Sequence, residues 1–129
     1  MTKQVRVAVG VVKKGDEYFI CRRNAQQHQG DKWEFPGGKI ESHESPEQAL
    51  SRELNEEIGI QVNQCEPLTQ IIHDYGDKQV CLFVFVVSSF SGQAHGKEGQ
   101  LSAWVPSSEL ENYEFPDANQ AILEKLLNS

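Results

Sequence analysis

Apolar residues alternate at Val5, Val7, Val9 and Val11, and the run stops at Lys13-Lys14-Gly15-Asp16, which is turn chemistry. Tyr18, Phe19, Ile20 and Cys21 begin a second run, so residues 4–24 read as a β-hairpin. A polar loop from Asn24 to Lys32 leads to Trp33-Glu34-Phe35-Pro36-Gly37-Gly38. Its Pro-Gly-Gly step breaks regular structure and lets backbone approach a ligand closely. Over residues 45–58 the period becomes helical, with Leu50, Leu54 and Ile58 on one arc. Ser45 suits the N-cap, Pro46 the first helical position, Gln48 the reciprocal place of a capping box, and Gly59 a left-handed C-terminal residue. Residues 67–73 and 78–90 read as strands joined at Tyr75-Gly76-Asp77, followed by a Gly-containing loop from Ser91 to Gln100. A short strand is expected at Ala103–Val105. An amphipathic helix is expected over Pro116–Leu127, with Ala121, Ile122, Leu126 and, at its margin, Leu123 facing inward. The order of strands, helix, strands, helix, without repeat or linker, predicts one mixed α/β domain over residues 1–129.

Composition narrows the chemistry. At 129 residues the chain has room for a single core. A net charge of −7 disfavours a general duplex-binding surface, so no nucleic-acid polymer is expected as a partner. An acidic protein can still bind phosphates when a metal supplies the positive charge. No apolar run approaches the length of a membrane span, and no leader pattern opens the chain, so it reads as cytoplasmic. Cys21, Cys65 and Cys81 lack C-x-x-C spacing and read as reduced core thiols. His28, His43, His73 and His95 are not paired at metal-ligand spacing, and Trp33 and Trp104 read as packing or pocket-wall residues.

The helix at 45–58 carries the chemistry. At about 100° per residue, Glu53, Glu56 and Glu57 fall on an arc beside the apolar one and crowd three carboxylates together. An acidic solvated face is the bland alternative. Against it stand the adjoining apolar stripe, which draws part of the cluster inward, and the preceding Gly37-Gly38, able to present backbone carbonyls. Arg52 can pair with Glu56 one turn on. Hard divalent cations take oxygen ligands of this sort, so a Mg²⁺ or Mn²⁺ site follows.

Gly38-x5-Glu44-x7-Arg52-Glu53-Leu54-x-Glu56-Glu57-x-Gly59-Ile60 resembles, position by position, the signature box of the Nudix hydrolases, here residues 38–60. With residue usage near 7% each, its fixed positions would coincide about once in 10⁸ windows. Beyond the box, Ala8-Val9-Gly10, Arg22-Arg23, Glu34 to Glu41, Pro46 to Ala49, Gly96-Lys97-Glu98-Gly99-Gln100 and Phe115-Pro116-x-Ala118-Asn119 resemble the bacterial MutT type, the 8-oxo-dGTP diphosphatases.

That resemblance implies an α/β/α sandwich around a mixed β-sheet. It also implies Mg²⁺-dependent hydrolysis of a nucleoside triphosphate to monophosphate and pyrophosphate, by water attacking the β-phosphorus, and a monomer acting on a small nucleotide. It makes Glu53, Glu56, Glu57, Glu98 and the Gly37 carbonyl metal ligands. Glu53 doubles as the base that activates water, with Arg52 orienting it, while Glu44 is a water-mediated ligand or a structural acceptor. Asn119 would read the base, Phe35 wall its pocket and Arg23 contact phosphate or sugar; Glu34, Gly38, Lys39, Asp77 and Lys78 carry over as further substrate-binding positions. The chain departs from the MutT pattern at Gly76, in place of proline, and at Lys78, in place of an arginine whose planar fork lysine cannot reproduce. Two alternatives stand beside this reading: a CTP or 5-methyl-dCTP pyrophosphohydrolase, and a Nudix domain that binds nucleotides without hydrolysing them.

Overall fold

The computed structural model describes residues 3–22 and 31–127. A mixed sheet runs through the middle of the domain. β1 (Lys3–Lys14) is its organising strand, pairing in parallel with β6 (Lys78–Ser91) from Lys3↔Lys78 to Val12↔Val87. On its other side β1 takes β4 (Gly37–Lys39), and at its far end β2 (Glu17–Arg22). β2 in turn pairs with β3 (Trp33–Glu34) and β7 (Ser102–Pro106), while β5 (Gln61–Asp74) closes the opposite edge against β6.

The expected hairpin over residues 4–24 is therefore confined to its tip, where Lys13↔Tyr18 and Lys14↔Glu17 pair. Alternation was the misleading signal. Val9 and Val11 face one apolar layer, but Ala8 and Val12 of the opposite parity are buried in another, so β1 is covered on both faces like a central parallel strand. β5 also starts earlier than expected, at Gln61. Its first half is polar because it is an edge, and register shifts on both sides of Pro67 let a proline sit in it. The Pro-Gly-Gly step does not end regular structure either, since Gly37–Lys39 form β4.

A helix packs on each face. α1 (Pro46–Ile58) buries Ala49, Leu50, Leu54 and Ile58 against Ala8, Val12, Phe19 and Phe85. Its capping box is complete: Gln48 N–H donates to Ser45 Oγ at 3.2 Å, and Ser45 N–H donates to Gln48 Oε1 at 2.9 Å. Gly59 ends the helix with φ 75°, as its position predicts. α2 (Asp117–Leu127) buries Ala118, Asn119, Ile122 and Leu123 over Val9, Val11, Ile20 and Val84. Leu123 is thus a full core residue, whereas Ala121 is only half-buried. A 3₁₀ turn at Ser107–Asn112, which the pattern did not announce, drops Leu110 into the same layer.

These layers are the expected α/β/α sandwich. Cys21, Cys65 and Cys81 are free, with Cys65 half-buried and the other two in the interior. Trp104 packs edge-on against Phe19 at 5.2 Å, and Trp33 against Tyr113 at 5.3 Å. Among the described residues no helix is long and apolar enough to cross a membrane.

Leu54 is fully buried where α1 crosses β1. Leu54→Ala is expected to lower stability by about 3 kcal/mol, measured as a reduced denaturation midpoint with unchanged slope.

Candidate active site

Arg52 fastens the loop before α1 to the helix. Its Nε and Nη2 donate to the two oxygens of Glu44 at 2.7 and 2.8 Å, a bidentate pair. Nη1 donates to Glu53 Oε1 at 2.8 Å and to Glu56 Oε2 at 3.4 Å, and Nη2 also reaches the Lys39 carbonyl at 3.1 Å. The expected contact with Glu56 exists, but Glu44 is the principal partner. The guanidinium, with the Glu41 N–H at 3.0 Å, holds the Glu44 carboxyl down at about 2. Both oxygens of Glu44 are occupied in this way, and Glu44 does not line the cavity described below.

At its two glycines β4 runs close to both β1 and the helix. A Cβ on Gly38 would overlap the Glu53 carboxylate, and one on Gly37 would overlap the Ala8 carbonyl of β1. This close approach lets the Gly37 N–H donate to Glu57 Oε2 at 3.3 Å.

Beside this junction opens a cavity of about 530 Å³. Glu34, Glu53, Glu57 and Glu98 supply carboxylates to its lining, and Gly37, Gly38 and Lys39 supply the β4 backbone. Burial pushes the Glu57 carboxyl up to about 8, helped by Glu34, Glu98 and Glu53 and opposed by the Gly37 N–H. The Cys21 thiol, also in the wall, is driven far above its usual range by burial and by Glu57 and Glu34, so it stays protonated. A second set of lining residues is Phe35, Tyr75, Lys78, Ala118 and Asn119. Asn119 is 9% exposed, and its Oδ1 accepts the Phe35 N–H at 3.1 Å. Phe35 stacks on Phe115 at 5.5 Å, making it core and pocket wall at once.

Glu98 reaches the cavity through residues that the motif did not single out for this role. The Gln100 amide accepts the Glu98 N–H at 2.9 Å and donates to the Glu57 carbonyl at 3.0 Å. Lys97 adds its N–H to the same carbonyl at 3.1 Å and its Nζ to the Asn55 carbonyl at 3.3 Å. The Glu57 carbonyl is one left open at the end of α1, while the Asn55 carbonyl also accepts the Gly59 N–H at 3.2 Å.

The NUDIX domain model matches residues 7–125. The chain belongs to the Nudix family. It is 39% identical to the 8-oxo-dGTP diphosphatase of Escherichia coli over 96% of this chain and 97% of that protein. It is 30% identical to the CTP pyrophosphohydrolase of Escherichia coli over 97% of this chain and 93% of that one. A solved structure from work on MutT of Aliivibrio salmonicida and Vibrio cholerae superposes with a TM-score of 0.86 at 38% identity, covering 98% of each chain. The protein is thus a Nudix hydrolase of the MutT type, with the fold that its box implied.

Of the expected site positions, Glu34, Phe35, Gly37, Gly38, Lys39, Glu53, Glu57, Lys78, Glu98 and Asn119 come together around the cavity. Glu56, Arg52 and Asp77 do not line it; Glu56 is exposed and turned to Arg52. Arg23 lies outside the described residues, as does His28. Among the described residues, one trio of ligand atoms lies within 4.8 Å of one another, at Glu41, His43 and Glu44. Its Glu44 oxygens are already bonded, and the cavity carboxylates do not converge as closely.

Nudix hydrolases use divalent metals, and the cavity's donor set fits one. Its carboxylate oxygens are hard ligands, and a divalent cation would relieve the repulsion from Glu34, Glu98 and Glu53 that adds to burial in raising Glu57. The raised Glu57 also fixes the sign of a pH effect. Below about pH 4.5 the carboxyl is protonated whether the chain is folded or unfolded, and its contribution to stability is fully present. As pH rises toward 8 the unfolded chain releases this proton first, so that contribution is lost. Metal-free protein should therefore show a melting temperature that falls between pH 5 and 8 by more than that of Glu57→Gln, measured by scanning calorimetry.

Proposed function

We propose that this Nudix hydrolase acts on 8-oxo-dGTP, yielding 8-oxo-dGMP and pyrophosphate through attack of water on the β-phosphorus. Its cofactor is Mg²⁺, with Mn²⁺ able to replace it. The work suits a cytoplasmic monomer that removes an oxidised nucleotide before replication can incorporate it. The observation that carries this reading is the single cavity walled both by the carboxylates of α1 and by the Asn119 amide. Likeness to named 8-oxo-dGTP diphosphatases over nearly the whole chain supports it.

When bound, the cation neutralises triphosphate charge and increases the electrophilicity of the phosphorus under attack. Glu57, Glu53, Glu56, Glu98 and the Gly37 carbonyl would hold it. Glu53 accepts the proton of the attacking water. Arg52, 2.8 Å from its Oε1, fixes that carboxylate against β4 instead of leaving it free to rotate. Glu44 belongs to this support, because it anchors Arg52 through both oxygens. Lys39 and Lys78 in the cavity wall, with Arg23, offer positive charge to the triphosphate. Glu34 lines the same wall, and Asp77 stands next to Lys78 at the margin.

Base choice falls to Asn119. Since its Oδ1 accepts the Phe35 N–H, the amide orientation is set, and Nδ2 is left as a donor with a second Oδ1 lone pair as an acceptor. Oxidised guanine shows a carbonyl beside an N7–H, which matches that pair. Ordinary guanine places an acceptor at N7 and leaves that second Oδ1 lone pair without a donor. Sites that hydrogen-bond a substrate in this way reject the mismatched analogue strongly.

kcat/KM for 8-oxo-dGTP is expected to exceed that for dGTP or 5-methyl-dCTP by at least about a hundredfold. Equal values would overturn the base assignment, and an advantage for the pyrimidine would favour the chemistry of the CTP-hydrolysing relative. Absence of pyrophosphate release with Mg²⁺ present would point to a binding domain instead. Glu53→Gln should lower kcat by about a thousandfold with a melting temperature equal or higher; near-normal turnover would move the base to Glu98.

A further inference from the structure

α2 begins without a cap of its own. The Pro116 carbonyl accepts the Gln120 N–H at 2.9 Å, which makes Pro116 the N-cap residue, and a proline side chain has no acceptor to offer the first turn. The N–H that a capping side chain would satisfy is that of Ala118, and it donates to the Tyr75 hydroxyl at 3.0 Å. Tyr75 lies between β5 and β6, 43 residues away along the chain. The turn it occupies is closed by its own N–H donating to the Lys78 carbonyl at 2.9 Å and by the Gly76 N–H donating to Asp74 Oδ1 at 2.8 Å. The His73 ring lies against that of Tyr75 at 4.5 Å, and His73 Nε2 is 3.8 Å from Asp117 Oδ2. The turn is thus fastened to the start of α2, one residue before Asn119.

We infer that the Tyr75 hydroxyl is a positioning group for base selection, holding the first turn of α2 so that the Asn119 amide meets the base at a fixed angle. The inference rests on the reading of Asn119 as the base-recognising residue. Asn119 is held twice: its Oδ1 by the Phe35 N–H, and its backbone by the neighbouring Ala118 N–H on Tyr75. Phe35, Tyr75, Ala118 and Asn119 all line the cavity, so any looseness there is felt where the base sits. Without the hydroxyl, a half-buried helix N–H has no partner and the first turn can tilt. A tilt leaves the carboxylates of α1 in place while spoiling an angle-dependent hydrogen-bond pair.

Tyr75→Phe keeps the ring and removes only the hydroxyl. Binding of 8-oxo-dGMP, dGMP and CMP to metal-free protein, followed by calorimetry, reads base preference apart from turnover. The wild type should prefer one base, and Tyr75→Phe should lose about three- to tenfold of that preference. In an Asn119→Ala background, adding Tyr75→Phe should change preference no further, because the hydroxyl acts through Asn119. Two results would overturn the inference alone: a lower melting temperature with preference intact within about twofold, or the same loss with Asn119 absent. A wild type without preference among the three would contradict the substrate reading and leave Tyr75 nothing to set.

Discussion

The guanidinium of Arg52 is the contact on which the site's geometry depends. One planar group takes the two oxygens of Glu44, one each of Glu53 and Glu56, and the Lys39 carbonyl. Those partners come from β4, the loop after it and the helix, so a single side chain sets how the glycine strand meets α1. Lysine, a point charge on a flexible stem, could not hold that fork of directions. At 29% side-chain exposure the pairs are screened, and their worth lies in geometry more than in folding free energy.

Arg52 does not complete the electrostatics. Glu57 sits deeper, against Gly37, and shares the cavity with Glu34, Glu53 and Glu98. Burial, together with carboxylate repulsion that no side chain of the fold relieves fully, is why Glu57 resists ionisation. Local conflict of this kind is expected where function, and not stability, selects the residues. The rest of the domain makes it tolerable: a β1 strand buried on both faces, Leu50 and Leu54 without solvent exposure, and a helix capped at both ends.

What could be read from the chain divides along the same lines. α1 was legible because its signals are local: Ser45 and Gln48 three positions apart, Pro46, Gly59 and an apolar arc. β1 was legible as a strand but its pairing was not, since its main partner β6 lies more than seventy residues ahead and alternation alone cannot show that both faces are covered. The first half of β5 hid behind an edge strand's polarity and a proline, while its second half was read. In the site, the glutamates stood out through spacing, whereas Gln100 and Tyr75 act through backbone groups distant in sequence and leave no pattern to find. Glu44 lay open between two roles until its oxygens were seen on Arg52.

The claim at the centre is that these carboxylates form one divalent-cation site, built around Glu57 and steered by Arg52. Calorimetric titration of Mn²⁺ into metal-free protein, beside the Glu57→Gln variant, tests it without substrate. Saturable binding by the wild type and affinity weaker by at least about tenfold in the variant are expected, with both proteins folded. Equal affinity in the two would contradict it.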